Sequence, residues 1–95
     1  MTSREDDITA AVADYDNAHP KARQSRNAAR LLATMFPTGD LYQGSLEAIA
    51  ALGFSPRHLP RTVRRLAEAG FLVRQPGTGG VPNTYRLTLP PRRQP

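Results

Sequence analysis

Between residues 57 and 65 the chain carries four arginines, a histidine and a threonine: Arg57, His58, Arg61, Thr62, Arg64 and Arg65. Arginine presents a planar fork of donors that stays charged at any working pH. It can place two bonds on guanine O6 and N7, or grip a phosphate. Set on a helical wheel at ~100° per residue, Arg57, Arg61, Arg64 and Arg65 fall opposite Leu59, Val63 and Leu66. Glu68 is the one acid on that face, so an internally paired stripe is not expected. The blander reading is a solvated helix face with incidental charge. The whole chain leans the same way. Its 95 residues hold 13 basic and 8 acidic side chains, net +5, and 12 of the 13 are arginine. Residues 1–18 hold five acids and one base, net −4, whereas residues 19–95 hold twelve bases and three acids, net +9. A basic body behind an acidic head suits a polyanion, most often nucleic acid. An arginine-rich genome would produce the same excess, so the placement of the arginines decides.

Other chemistries lack their residues. There is no cysteine, which removes disulfides, thiol nucleophiles and cysteine–zinc sites. His19 and His58 lie far apart, with no carboxylate at metal-ligand spacing, so a metal site is not expected. Asp14 and Asp16 belong to an acidic helix, and no Ser/His/Asp arrangement or buried acid pair is in view, so no enzyme is expected. Gly77, Thr78, Gly79 and Gly80 lack the G-x-x-x-x-G-K-[ST] pattern and do not lead into a helix, so they make a poor phosphate cradle. No cofactor and no small-molecule ligand are implied. No apolar run approaches the ~20 residues of a membrane span, and the opening MTSREDDITA lacks a basic-then-apolar layout. The expectation is a soluble cytoplasmic protein, nucleoid-associated, with no membrane partner.

The elements that would hold the arginines follow from apolar spacing. Residues 7–17 read as a short helix with Ile8, Ala11, Val12 and Tyr15 on one stripe. His19-Pro20 ends it. Residues 21–36 read as a second helical stretch, with Ala28, Leu31, Leu32, Met35 and Phe36 inward and Lys21, Arg23, Arg26 and Arg30 on the other side and in the first turns. Leu41 and Tyr42 follow the breakers at 37–40 as a two- or three-residue strand. Residues 45–52 form a third helix, capped by Ser45 or Gly44, and Gly53 suits its end. Residues 55–69 are the fourth, started by Ser55-Pro56 and stopped by Ala69-Gly70. Residues 71–75 and 83–89 alternate as two strands around a loop of glycines and prolines. Residues 90–95, PPRRQP, read as a flexible tail whose Arg92 and Arg93 could lie along a backbone or groove.

Three segments in this order carry a resemblance: LEAIAALGFS, then RTVRRLAEAGFLVRQ, then the glycine-tipped hairpin FLVRQPGTGGVPNTYRLTL. Together they resemble the winged helix-turn-helix family, and with the preceding helix the likeness covers residues 21–89. It implies a mainly α fold, a three-helix core with a C-terminal β-hairpin wing, here with an extra N-terminal helix. It also implies double-stranded DNA as the partner, with residues 56–69 as the helix laid in the major groove. Base-contact candidates on that stretch are then Arg57, His58, Arg61, Thr62 and Arg65. Phosphate-contact candidates are Lys21, Arg23, Arg26, Arg64, Arg74, Thr78, Asn83 and Arg86; Arg65 also suits a phosphate. Pro60 departs from a regular helix. As the fifth residue after a Pro56 start it removes a donor and crowds a carbonyl, at ~3 kcal/mol in a helix interior. Either the helix starts near Leu59-Pro60 after a kinked or 3₁₀ turn, or residues 55–58 belong to a longer turn.

The resemblance implies transcriptional regulation as the role. A plasmid- or phage-type accessory factor for replication, partition or excision would use the same chemistry, and a winged protein-interaction module is the rival from another class. RNA ranks lower, because the few aromatics look buried. The helix at 7–17 needs something to pack on. Residues 1–20 read as an acidic arm ahead of the 21–89 domain, so its apolar stripe could cover its own domain or join a second copy in a homodimer.

Overall fold

The computed structural model describes residues 4–89. The 90–95 tail with Arg92 and Arg93 lies outside the described residues. In chain order the elements are α1 (Arg4–Ala18), α2 (Ala28–Met35), β1 (Leu41–Gln43), α3 (Leu46–Ala50), α4 (Leu59–Glu68), β2 (Leu72–Gln75) and β3 (Thr84–Leu87). This is a mixed α/β fold of four helices and a three-stranded antiparallel sheet. The strand order is β1-β3-β2, so the short strand expected at Leu41-Tyr42 joins the hairpin as its third strand.

The apolar spacing assembles one core. Ile8, Ala11 and Val12 of α1 join Leu31, Leu32 and Met35 of α2, Leu59, Val63 and Leu66 of α4, and Phe71, Leu72, Tyr85 and Leu87 of the hairpin. The first helix is thus a wall of the core rather than an arm outside it. Its stripe faces the core of its own chain, with Ile8, Ala11 and Val12 buried and Tyr15 partly buried. Arg4 adds an ion pair to Asp40 at 3.2 Å, pinning the start of α1 beside β1.

Two helices start later than their apolar spacing predicts, the fourth at the start that Pro60 offered. Residues 21–27 are turns and irregular chain, and α2 begins only at Ala28. Lysine, alanine, arginine and glutamine are good helix formers, but propensity is a weak prior against tertiary bonds. Here the Ala22 N–H donates to His19 O at 2.9 Å and the Gln24 N–H donates to the Asp16 carboxylate at 2.8 Å, which commits the segment to a loop. Likewise α4 begins at Leu59, and residues 56–58 form a turn. Ser55 O accepts from both His58 N–H, at 3.2 Å, and Leu59 N–H, at 2.9 Å. Pro60 therefore sits in the first helical turn, where its missing donor would have had no partner. The third helix also stops early, at Ala50, and closes through a turn ending at Gly53, whose φ is +114°. Its start is as expected: the Ser45 hydroxyl accepts from Ala48 N–H at 3.2 Å.

The passage from α4 to β2 is short and firmly bonded. Gly70 takes a φ of +90°. Phe71 N–H donates to Leu66 O at 2.9 Å and Gly70 N–H to Ala67 O at 3.1 Å, the paired bonds of a Schellman stop. In the sheet, Tyr42 pairs with Tyr85 and Tyr85 with Arg74, while Leu41 pairs with Arg86 and Arg86 with Val73. Side chains alternate faces along a strand. The first row therefore lies on the inner face with buried Tyr85, and the second on the exposed outer face. The Tyr42 hydroxyl donates to Ser45 O at 2.9 Å, tying β1 to the start of α3. Burial, with Tyr85 beside it, raises the Tyr42 phenol above its ordinary pKa. No helix among the described residues is long and apolar enough to cross a membrane.

Candidate functional site

Packing α3 and the inner face of the hairpin against α4 leaves an open groove of about 1040 Å³ between them. Leu59, Val63 and Tyr85, all largely buried, lie at its base. Arg57, Arg61 and Arg64 line it from the α4 side and Arg74 from β2. Four arginines thus line one concavity. Glu47, in the first turn of α3, is the one acid among its lining residues. A groove this open does not enclose a small ligand the way a pocket does. It suits an extended partner of negative charge. Low-dielectric walls carrying one sign of charge also concentrate the field there.

Each expected residue has a definite place. Arg57 and His58 are exposed in the turn before α4, with His58 at the cap position. Arg61 is exposed on α4 itself, and Thr62 is half-buried with its hydroxyl donating to His58 O at 3.2 Å. Arg64 forms an ion pair with Glu68 one turn on, at 3.9 Å with both side chains well exposed; such a pair is worth little and yields readily to a partner. Arg65 turns away from the groove. Its guanidinium donates to the carbonyl of Arg23 in the loop before α2, so it is held by the protein rather than offered to a base.

The hairpin divides its candidates. Arg74 lines the groove, but Arg86 stands on the opposite face of the sheet, between Leu41 and Val73. Asn83 lines the groove while its side-chain oxygen accepts from Gly77 N–H at 2.9 Å, closing the base of the loop. Thr78 starts a tight turn in which Val81 N–H donates to Thr78 O at 3.0 Å, with Gly79 and Gly80 at φ of +57° and +86°. Positive φ at both central positions is the mirror-type turn that hairpins favour. Gly77 admits no side chain, because a Cβ there would lie 1.7 Å from Val81 O. The hairpin tip is therefore a built loop.

Lys21, Arg23 and Arg26 are exposed in the loop before α2, not on a helix. Arg30 is on α2, but its guanidinium lies over the Phe54 ring, 4.7 Å from the centroid, braced against the turn between α3 and α4. His19 stacks on Tyr15, with centroids 4.2 Å apart. Two contributors were missed from the sequence. Glu47 carried no signal beyond being a lone acid. Gln24 is buried, and glutamine in a polar stretch gives no hint of that. Among the described residues no group of three His, Cys, Asp or Glu side chains could hold a metal. The chain matches no family model, no curated protein and no solved structure. The site's own chemistry is that of an open line of arginines with one acid, Glu47, among them.

Proposed function

We propose that this chain is a winged helix-turn-helix protein that binds double-stranded DNA with sequence preference and acts in transcriptional regulation. The observation that carries the reading is the meeting of Arg57, Arg61, Arg64 and Arg74 in one open groove beside α4, with Glu47 alone of opposite sign. The element order from α2 to β3 supports it, being the order of that fold. In this reading α4 lies in the major groove, Arg57 and Arg61 reach base edges, and Arg64 and Arg74 grip phosphates. Thr62, with its hydroxyl turned to His58 O, and His58 at the cap flank the base-reading pair. Accessory work on a plasmid or phage chromosome would use the same surface.

The test is selection from a random duplex pool at two salt concentrations, followed by sequencing. Enrichment of a motif, with affinity falling steeply with salt, is the expected result. A palindrome with half-sites about one helical turn apart would add two-fold pairing of the protein. Absence of binding at low salt overturns the reading. Strong binding with no enrichment removes the sequence preference and leaves a nonspecific DNA-binding role.

A further inference from the structure

Arg64 and Arg65 are neighbours in sequence and lie ~100° apart around α4. Arg64 faces the groove. Arg65 faces the loop between α1 and α2, and the two are locked together. The Arg65 guanidinium donates to Arg23 O. In return the Gln24 side-chain amide donates to Arg65 O at 3.4 Å. Gln24 N–H is held in turn by the Asp16 carboxylate of α1 at 2.8 Å. Gln24 is 9% exposed and is the buried polar residue of the described chain. These bonds hold a stretch of good helix formers out of helix and against the shoulder of α4 away from the groove. Lys21, Arg23 and Arg26 project from this stretch, all exposed. Cations thus stand on the loop bonded to the Arg65 side of α4 as well as on the groove side, with Arg61 between the two on the helix wheel.

A helix with its side chains is about 10–12 Å across, and the major groove is about 12 Å wide. A helix seated there has the phosphates of one strand along one shoulder and those of the other strand along the other. Resting on the DNA reading above, we infer that the loop at residues 21–26 is a second phosphate-binding site. It takes the strand opposite the one gripped by Arg64 and Arg74, and Gln24 and Arg65 are the positioning residues that hold it there. The duplex is then clamped from both sides of the reading helix.

Ethylation interference, read on each strand of a duplex carrying the enriched motif, tests this together with the salt dependence of binding. Wild type should show one phosphate cluster per strand, facing each other across the major groove. Lys21→Ser/Arg23→Ser/Arg26→Ser should erase the cluster on one strand and leave the motif unchanged. It should also lower the log–log salt slope by about two to three, at about 0.9 per phosphate. Arg74→Ser should weaken the other cluster. Arg65→Lys keeps the charge but not the planar fork, and should weaken the same cluster as the triple change with the melting temperature nearly unchanged. If wild type binds and the triple variant keeps both clusters and its slope, the loop is not a phosphate site and the inference fails alone. If Arg65→Lys matches wild type on both strands, Arg65 has no positioning role. If wild type binds no duplex at low salt, the DNA reading fails and this inference with it. Should binding occur without an enriched motif, the slope on a duplex of arbitrary sequence decides: a drop of two to three sustains the loop site, and no drop refutes it.

Discussion

Arg61 has no hydrogen-bond or ion-pair partner among the described residues, and it stands on the exposed ridge of α4. Removing it should therefore leave the fold intact and act on the partner alone. Arg61→Ala is expected to weaken binding to the enriched motif by about 1–3 kcal/mol, and to relax preference at one base pair. Equal loss on every sequence would make it a phosphate contact instead. Arg74 and Arg86 offer a sharper comparison, because one side chain faces the groove and the other the far side of the sheet. Arg74→Ala should lower the salt slope by about 0.9, while Arg86→Ala should leave affinity and slope near wild type. Equal losses would contradict the placement of the site on the inner face. Residue types were legible from the sequence alone, since four arginines opposite an apolar stripe need no coordinates to be seen. Which of them are offered outward was not. Arg65 looks like its neighbours on a wheel, and only the Arg23 carbonyl of a distant segment claims it.

At the scale of elements, the apolar periods identified every helix and both strands of the hairpin, and Leu41-Tyr42 marked the third. The starts were harder to place. Residues 21–27 read as helix because their propensities favour it, and the bonds that overrule them come from His19 and Asp16 just before the segment and from Arg65 far along the chain. Pro60 pointed to the start of α4 correctly in one of its two outcomes: the helix begins at Leu59 and residues 56–58 turn into it. Since Pro60 lies in the first turn, Pro60→Ala should leave the helical circular dichroism signal unchanged within error. A gain worth a further helical turn would mean that the proline holds back residues 56–58. Pairing of β1 with β3 was not legible, because a three-residue strand carries no register of its own. It is the packing of α3 and α4 between them that brings Tyr42 to Tyr85 in the fold.

For the whole molecule, the division between acidic head and basic body does not coincide with a division in the fold. Ile8 is fully buried in the same core as Leu66 and Phe71. Ile8→Ala should cost about 2–5 kcal/mol by chemical denaturation, a large share of the ~5–15 kcal/mol that holds a domain together. A loss under half a kcal/mol would return the helix to the status of a detachable arm. The acids of α1 are thus carried permanently on the body that carries the arginines. Asp16 uses its charge to anchor the basic loop by its backbone.

The single-glycine passage at Gly70 bears on how such a protein can vary over generations. One added residue within α4 would turn everything beyond it by ~100°, swinging Arg74 out of line with Arg61 and Arg64. Extra residues between Gly79 and Gly80 would change only the reach of the loop, because the Asn83–Gly77 bond closes it below. Changes in loop length between β2 and β3 therefore leave Arg74 in place, while the spacing from α4 to β2 acts as a fixed gauge.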